Sequence, residues 1–406
     1  MKILNRHARI YLVDQLISLL GLIGIFWCMS LTCGCSSDVE APESQVEGDD
    51  AAFEARTDLE NLNLPINPFN YAELDLPSHF FATDVVMADN TPASNPVTNV
   101  GATLGRVLFY DKNLSLNRTI ACSSCHTQSS GFTDNSALSR GFEGQLTGRN
   151  SMNLANAKYY RTGHFFWDER AATLEEQVLM PIQDQVEMGM DLDSLEQRLQ
   201  EVSYYPTLFA ETFGDSAITS EGISFALAQF VRSMVSYQSP YDVALAQNGG
   251  NANTDFQTFS VLENTGKNLF FGRGACDRCH STALFIADRA FNNGLDVSLG
   301  LDDGLGAVSG ITAEQGLFKV PSLRNVALGP PFMHDGRFES LEEVVRHYNN
   351  GVQDHPNLSQ EMLGRNGEVR RLNLSENDID ALVAFMETFT DEAFIEDEKF
   401  SDPFVD

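Results

Sequence analysis

The sequence of 406 residues is short of positive charge: 26 lysines and arginines stand against 57 aspartates and glutamates, a formal net charge of −31. That excludes a nucleic-acid partner, because phosphate needs a basic face. It favours basic partners at low salt. Long apolar runs are missing as well. The one sustained run, residues 16–27, is too short to span a bilayer with proper flanks. Tryptophan is scarce, with two residues, and strand signals are few and short. The composition excludes a collagen, a coiled coil and a wholly disordered chain. With 43% hydrophobic residues the chain can bury a large core, and its length suggests two or three domains.

The N-terminus reads as an address, not as fold. Lys2, Arg6 and Arg9 precede the apolar run, and small residues with Cys33 and Cys35 follow it. This is the pattern of a secretory signal peptide over residues 1–34. Cys35 followed by Ser-Ser-Asp resembles the start of a bacterial lipoprotein, with the lipid on the first mature cysteine, although Thr32 stands where an aliphatic residue is usual. The expectation is a periplasmic protein held to a membrane through Cys35. Cleavage would leave 23 basic and 56 acidic residues. Residues 35–65 begin with an acidic, small-residue stretch and read as a disordered tether.

Cysteine is equally scarce, and its placement is informative. Of seven cysteines, Cys28, Cys33 and Cys35 lie in or beside the export segment. The other four form Cys122-Ser-Ser-Cys125-His126 and Cys276-Asp-Arg-Cys279-His280, so none is left for a structural disulfide. A C-x-x-C-H unit is a c-type haem attachment site. Its thiols add to the haem vinyl groups and its His supplies the proximal nitrogen to iron. One such unit alone also suits a zinc half-site or a redox dithiol. A structural zinc site gathers four ligands in a short module, however, and these two units stand 154 residues apart, each with its own His. Two covalently bound haem c groups are the expected cofactors.

The chain also repeats itself. Gly105-Arg106-Val107-Leu108-Phe109-Tyr110 precedes the first unit and Gly266-Lys267-Asn268-Leu269-Phe270-Phe271 the second. Downstream, Trp167-Asp-Glu-Arg170 leads to Leu174-Glu-Glu176, and His334-Asp-Gly-Arg337 leads to Leu341-Glu-Glu343. The fold class expected is mostly α, with two cytochrome c-like haem domains arising from an internal duplication. Helices are expected over 220–237, where Ile223, Leu227, Phe230, Val231 and Met234 recur at helical spacing, and after a capping box at Ser375–Asp378. Residues 247–254, rich in Gly and Asn, read as the linker. The expected division is 66–246 for the first haem domain, 255–395 for the second and 396–406 for an acidic tail.

Together these blocks resemble the bacterial dihaem cytochrome c peroxidase and MauG family. The resemblance rests on NPVT, LGRVLFYDKNLS, CSSCH, GRNSMNLANA, HFFWDERAATLEEQ, EMG, CDRCH, FKVPSLRNVALGPPFMHDGRF and LEEVV in that order, over residues 95–389. It implies that hydrogen peroxide reacts at the N-terminal haem while the C-terminal haem passes or shares electrons. It maps the tryptophan between the haems onto Trp167 and the proton-transferring glutamate onto Glu187. One carboxylate beside an open coordination site can take a proton from the iron-bound oxygen and return one to the leaving oxygen.

Ligand positions distinguish members of this family. The distal His of many relatives falls at Phe142 here, and no His lies between His126 and His164. The first iron is therefore expected to be open to peroxide without prior reduction, with His164 structural. At the second haem, the Met common in peroxidases is replaced by Tyr348, as in MauG; Met362 is the alternative ligand. A phenolate favours ferric and higher-valent iron. His334 is expected near the haem edge or propionates and not on iron. The resemblance also implies calcium between the domains, held by Asn150 and the carbonyls of Gly329 and Pro331, hard oxygen donors that suit this ion. The function expected is peroxide reduction with electrons from a small redox protein, a cytochrome c or a cupredoxin. The alternatives are MauG-like oxidation of a partner protein, with Tyr237 or Tyr241 as the last station for the oxidising equivalent, and a non-catalytic dihaem electron carrier. The resemblance also admits a homodimer, since dimers are common among relatives, while the residues leave the oligomeric state open.

Overall fold

Thr98 starts the first long helix, its hydroxyl accepting the Gly101 N–H at 3.0 Å. In the computed structural model, which describes Leu59 and residues 61–405, the longer helices are α1 Asn99–Tyr110, α2 Leu192–Gln200, α3 Tyr204–Phe213, α4 Ser220–Ser233, α5 Pro240–Gln247, α6 Val261–Phe271 and α7 Glu376–Glu387. Among the described residues there are no strands, only isolated bridges. The export segment 1–34 and Cys35 lie outside the described residues.

The helices expected from periodicity form. α4 ends at Ser233, and α7 opens with the reciprocal Ser375–Asp378 capping box. The described residues pack as one compact unit around two hydrophobic cores. In the first, α1 lies against α4; in the second, α6 lies against α7. Both crossings are close because a glycine stands at each. A Cβ on Gly105 would lie 2.0 Å from the Ala226 carbonyl oxygen, and one on Gly266 would lie 1.8 Å from that of Ala381. The bases that follow, Arg106 and Lys267, are buried; Arg106 Nε donates to the Ser401 carbonyl, and Lys267 Nζ donates to the carbonyls of Ala252 and Thr254.

Smaller parts match too. Asn156 and Asn325, both at positive φ, receive side-chain hydrogen bonds from the backbone N–H of Ser236 and Asp391, just beyond α4 and α7. Phe165 bridges Ala171 as Phe332 bridges Phe338. Thr173 and Ser340 cap the short helices Leu174–Gln177 and Leu341–Arg346.

The cores divide the chain differently from the linker composition. Tyr241, Ala244 and Leu245 of α5 belong to the second core, ahead of residues 247–254. Nor do the ends behave as tether and tail where they are described. Leu59 and Leu62 are buried, and Leu62 pairs with Phe404. Phe400 is buried in the first core, and Arg106 and Tyr110 bind the carbonyls of Ser401 and Phe400. The acidic composition of both segments hid the few apolar residues that dock them.

Candidate functional site

Each C-x-x-C-H unit is a single tight turn that puts two sulfurs and an imidazole together. His126 N–H reaches the Cys122 carbonyl at 3.0 Å, and His280 N–H reaches that of Cys276 at 2.9 Å. No disulfide joins these four cysteines. Burial pushes Cys122, Cys276 and Cys279 up to about 12 and Cys125 up to about 11, so they are neutral thiols. His126 Nδ1 lies 3.0 Å from the Phe132 carbonyl and His280 Nδ1 lies 3.3 Å from that of Phe285. Donation there orients each ring and leaves Nε2 with a lone pair for a metal. Burial depresses both imidazoles, His280 to about 4. Two thiols, a neutral imidazole with a free Nε2 and a largely apolar cavity beside them are the donor set a c-type haem requires, so both units fit that group.

Two cavities open from these units. That of His126, ≈ 530 Å³, is lined by Arg149, Asp168, Arg170, Asp184 and Glu187. That of His280, ≈ 230 Å³, is lined by Cys276, Cys279, Tyr348, Met333 and Met362. Trp167, Asn150 and Lys319 line both. Trp167 Nε1–H donates to the Asn150 carbonyl at 2.8 Å, and Asn150 N–H donates to the His334 carbonyl at 2.8 Å. His334 stacks on Phe318 with ring centroids 3.8 Å apart. Around this wall Arg149 binds Asp168 and Asp302, and Arg170 binds Asp168.

Glu187 sits at the end of the turn that follows Pro181. Burial first, then the charge of Asp184, raises its carboxyl to about 7, against the opposing pull of Arg170. It is therefore poised to exchange a proton near neutrality. Phe142 is absent from the lining of the His126 cavity: its N–H binds the Glu187 carbonyl at 3.0 Å and its ring lies on Gly189. His164 is half exposed, and its carbonyl accepts from Lys319 at 2.7 Å.

Tyr348 lies in the π-helical turn His347–Gly351 and points its oxygen at Asn293, whose Nδ2 donates at 3.2 Å. Burial pushes the phenol up to about 12. Asn293 also approaches the Met333 sulfur at 3.5 Å. The cavity wall thus holds Tyr348 and Met362 together, with Met333 beside them. Asn150, Gly329 and Pro331 line the same cavity. The Asn150 amide N donates to the carbonyls of Ser136 and Ala137. Among the described residues no cluster of three His, Cys, Asp or Glu forms a further metal site. Residue patterns single out neither Asn293 nor Met333. Lys319 stands inside the FKVPS block, where a lone amine in an apolar run is the available signal.

Comparison with known proteins bears on the family of the whole chain. The family model described as di-haem cytochrome c peroxidase matches residues 99–250. The methylamine utilization protein MauG of Methylophilus methylotrophus is 35% identical over 299 residues, 73% of this chain and 84% of that protein. Cytochrome c551 peroxidase of Nitrosomonas europaea is 32% identical over 318 residues, 76% of this chain and 87% of that protein. The crystal structure of a MauG-like protein associated with microbial copper homeostasis superposes with a TM-score of 0.70 at 30% identity, covering 82% of this chain and 99% of that one. The chain belongs to the dihaem cytochrome c peroxidase and MauG family of peroxide-dependent oxidoreductases.

Proposed function

We propose that this protein is an exported dihaem peroxidase that reduces hydrogen peroxide at the His126 site and draws electrons through the His280 site. The carrying observation is the shared wall: Trp167 lines both cavities, while Glu187 lines that of His126 alone. Haem attached through Cys122 and Cys125, and through Cys276 and Cys279, supplies the iron chemistry at each site. Glu187 takes the proton from the peroxide oxygen nearer His126 and returns it to the oxygen that leaves. Two electrons and two protons then convert one peroxide into two waters. Trp167, locked by its bond to Asn150, couples the sites. The matched helix pairs, glycines and asparagines of the two cores support their origin by duplication. Export and lipidation rest on the pattern of residues 1–35, and calcium on Asn150 Oδ1 with the Gly329 and Pro331 carbonyls.

A small basic redox protein is the electron donor that the net charge of −31 favours. A second reading is peroxide-driven oxidation of a partner protein. It is favoured by Tyr348, whose buried oxygen already receives the Asn293 N–H and would bind iron as phenolate.

Stoichiometric hydrogen peroxide added to the purified ferric protein tests the reading, followed by optical and EPR spectra. Rapid loss of a high-spin ferric signal is expected. Reaction only after one-electron reduction would overturn the open first site. No reaction even then would leave an electron carrier.

A further inference from the structure

Lys319 is a buried amine that peroxide reduction does not use. It is 5% exposed and lines both cavities. Its backbone N–H donates to the Trp167 carbonyl at 2.8 Å. Its Nζ donates to the His164 carbonyl at 2.7 Å and sits 3.6 Å from the centroid of the Tyr160 ring, with the Phe165 ring 5.5 Å away. Tyr160 is itself 3% exposed and lines the His126 cavity. An oxidisable phenol therefore stands in the wall where peroxide would deliver its two oxidising equivalents, next to the strand of chain that carries Trp167.

We propose that Lys319 is a positioning residue whose ammonium, seated on the Tyr160 ring, bars that tyrosine from oxidation and keeps the oxidising equivalents on the Trp167 side of the wall. The blocked step is a side reaction of the function proposed above, on which this inference rests. In it Tyr160 would give one electron to the peroxide-oxidised haem centre, reducing that centre by one electron. Its phenolic proton would pass to cavity water, leaving a neutral tyrosyl radical. A positive charge against the ring face stabilises the electron-rich ring and opposes removal of an electron from it. Burial of both side chains leaves that charge weakly screened by bulk solvent. The bond to the His164 carbonyl fixes the amine in that place, and the nearby Glu169 carboxylate favours its charged form. Burial pulls the amine down to about 7, so it is charged at pH 6.

The test is freeze-quench EPR at pH 6 after one equivalent of hydrogen peroxide, on the haem-loaded protein. Lys319→Met removes the charge. Lys319→Gln removes it while keeping a donor for the His164 carbonyl, and so guards against misfolding. Both should show a tyrosyl signal absent from the parent and an oxidised state that decays roughly tenfold faster, equivalent to about 1.4 kcal/mol. Adding Tyr160→Phe should abolish the signal and restore the lifetime, and Lys319→Arg should behave as the parent. Parent-like decay without a tyrosyl signal in a folded, charge-free variant would overturn the proposal. Failure of the underlying reading looks different: Trp167→Phe would leave communication between the haems unchanged, whatever happens at Tyr160.

Discussion

The rings of Trp167 and His334 meet edge to face, 6.4 Å between centroids and 69° between planes. They occupy corresponding places in the two halves of the chain, each two residues after a bridging phenylalanine, Phe165 and Phe332. The halves thus touch through equivalent residues, and Asn150 ties them by accepting from Trp167 and donating to His334. Trp167 is held against a fixed backbone and lines both cavities, the geometry behind its proposed coupling role.

Replacing Trp167 by Phe keeps an aromatic ring and removes one hydrogen bond from the Asn150 carbonyl. The cost in stability should be about 1–3 kcal/mol by urea unfolding. Peroxide-induced spectral change at the second haem should slow by at least about tenfold while peroxide still binds the first. Stopped-flow spectra that resolve the two haems check this.

Glu187→Gln should lower the rate of peroxide consumption by roughly 10²–10⁴-fold. In the parent, the rate should rise with pH through about 7, as the carboxylate that accepts the peroxide proton forms. Its folded pKa is raised above the unfolded value, so its contribution to stability is full below the unfolded pKa, near 4.5, and lost as pH rises through about 7. Glu187→Gln should therefore gain roughly 3 kcal/mol over the parent at pH 8 and nothing at pH 4. Melting curves at the two pH values, with haem loading held equal, decide it.

Tyr348→Phe should change the optical spectrum and raise the reduction potential of the second haem, because a phenolate ligand favours the ferric state. Met362→Leu should leave both as they were. The reverse pattern in a potentiometric titration would assign the ligand to Met362.

Phe400→Ala should destabilise the protein by about 3–5 kcal/mol, the usual cost of emptying a buried aromatic site. Phe400 is 1% exposed and packs against Phe132, whose carbonyl orients His126. Calorimetry on the substituted protein checks the stability, and the spectrum of the first haem should show a disturbed proximal side. A melting temperature equal to the parent would mean that the C-terminal segment is not docked.

The sequence by itself determined what depends on neighbours a few residues apart. Cys122, Cys125 and His126 are brought together by one turn, as are Cys276, Cys279 and His280, so the spacing alone specifies both sites. The same holds for the Ser375–Asp378 capping box and for the apolar periodicity of α4. The matching strings around Gly105 and Gly266 were also visible there, and both glycines stand at close helix crossings. Tertiary structure decided what depends on distant residues. Composition marked residues 396–406 as a tail, yet Phe400 and Phe404 bring that stretch back to the first core. Composition likewise placed a linker at 247–254, while burial of Tyr241 gave α5 to the second core. The environment of Glu187 and the burial of Lys319 are set by cavity walls assembled from segments far apart in the chain. Solvent exclusion and charge proximity belong to such assemblies, and no local pattern encodes them.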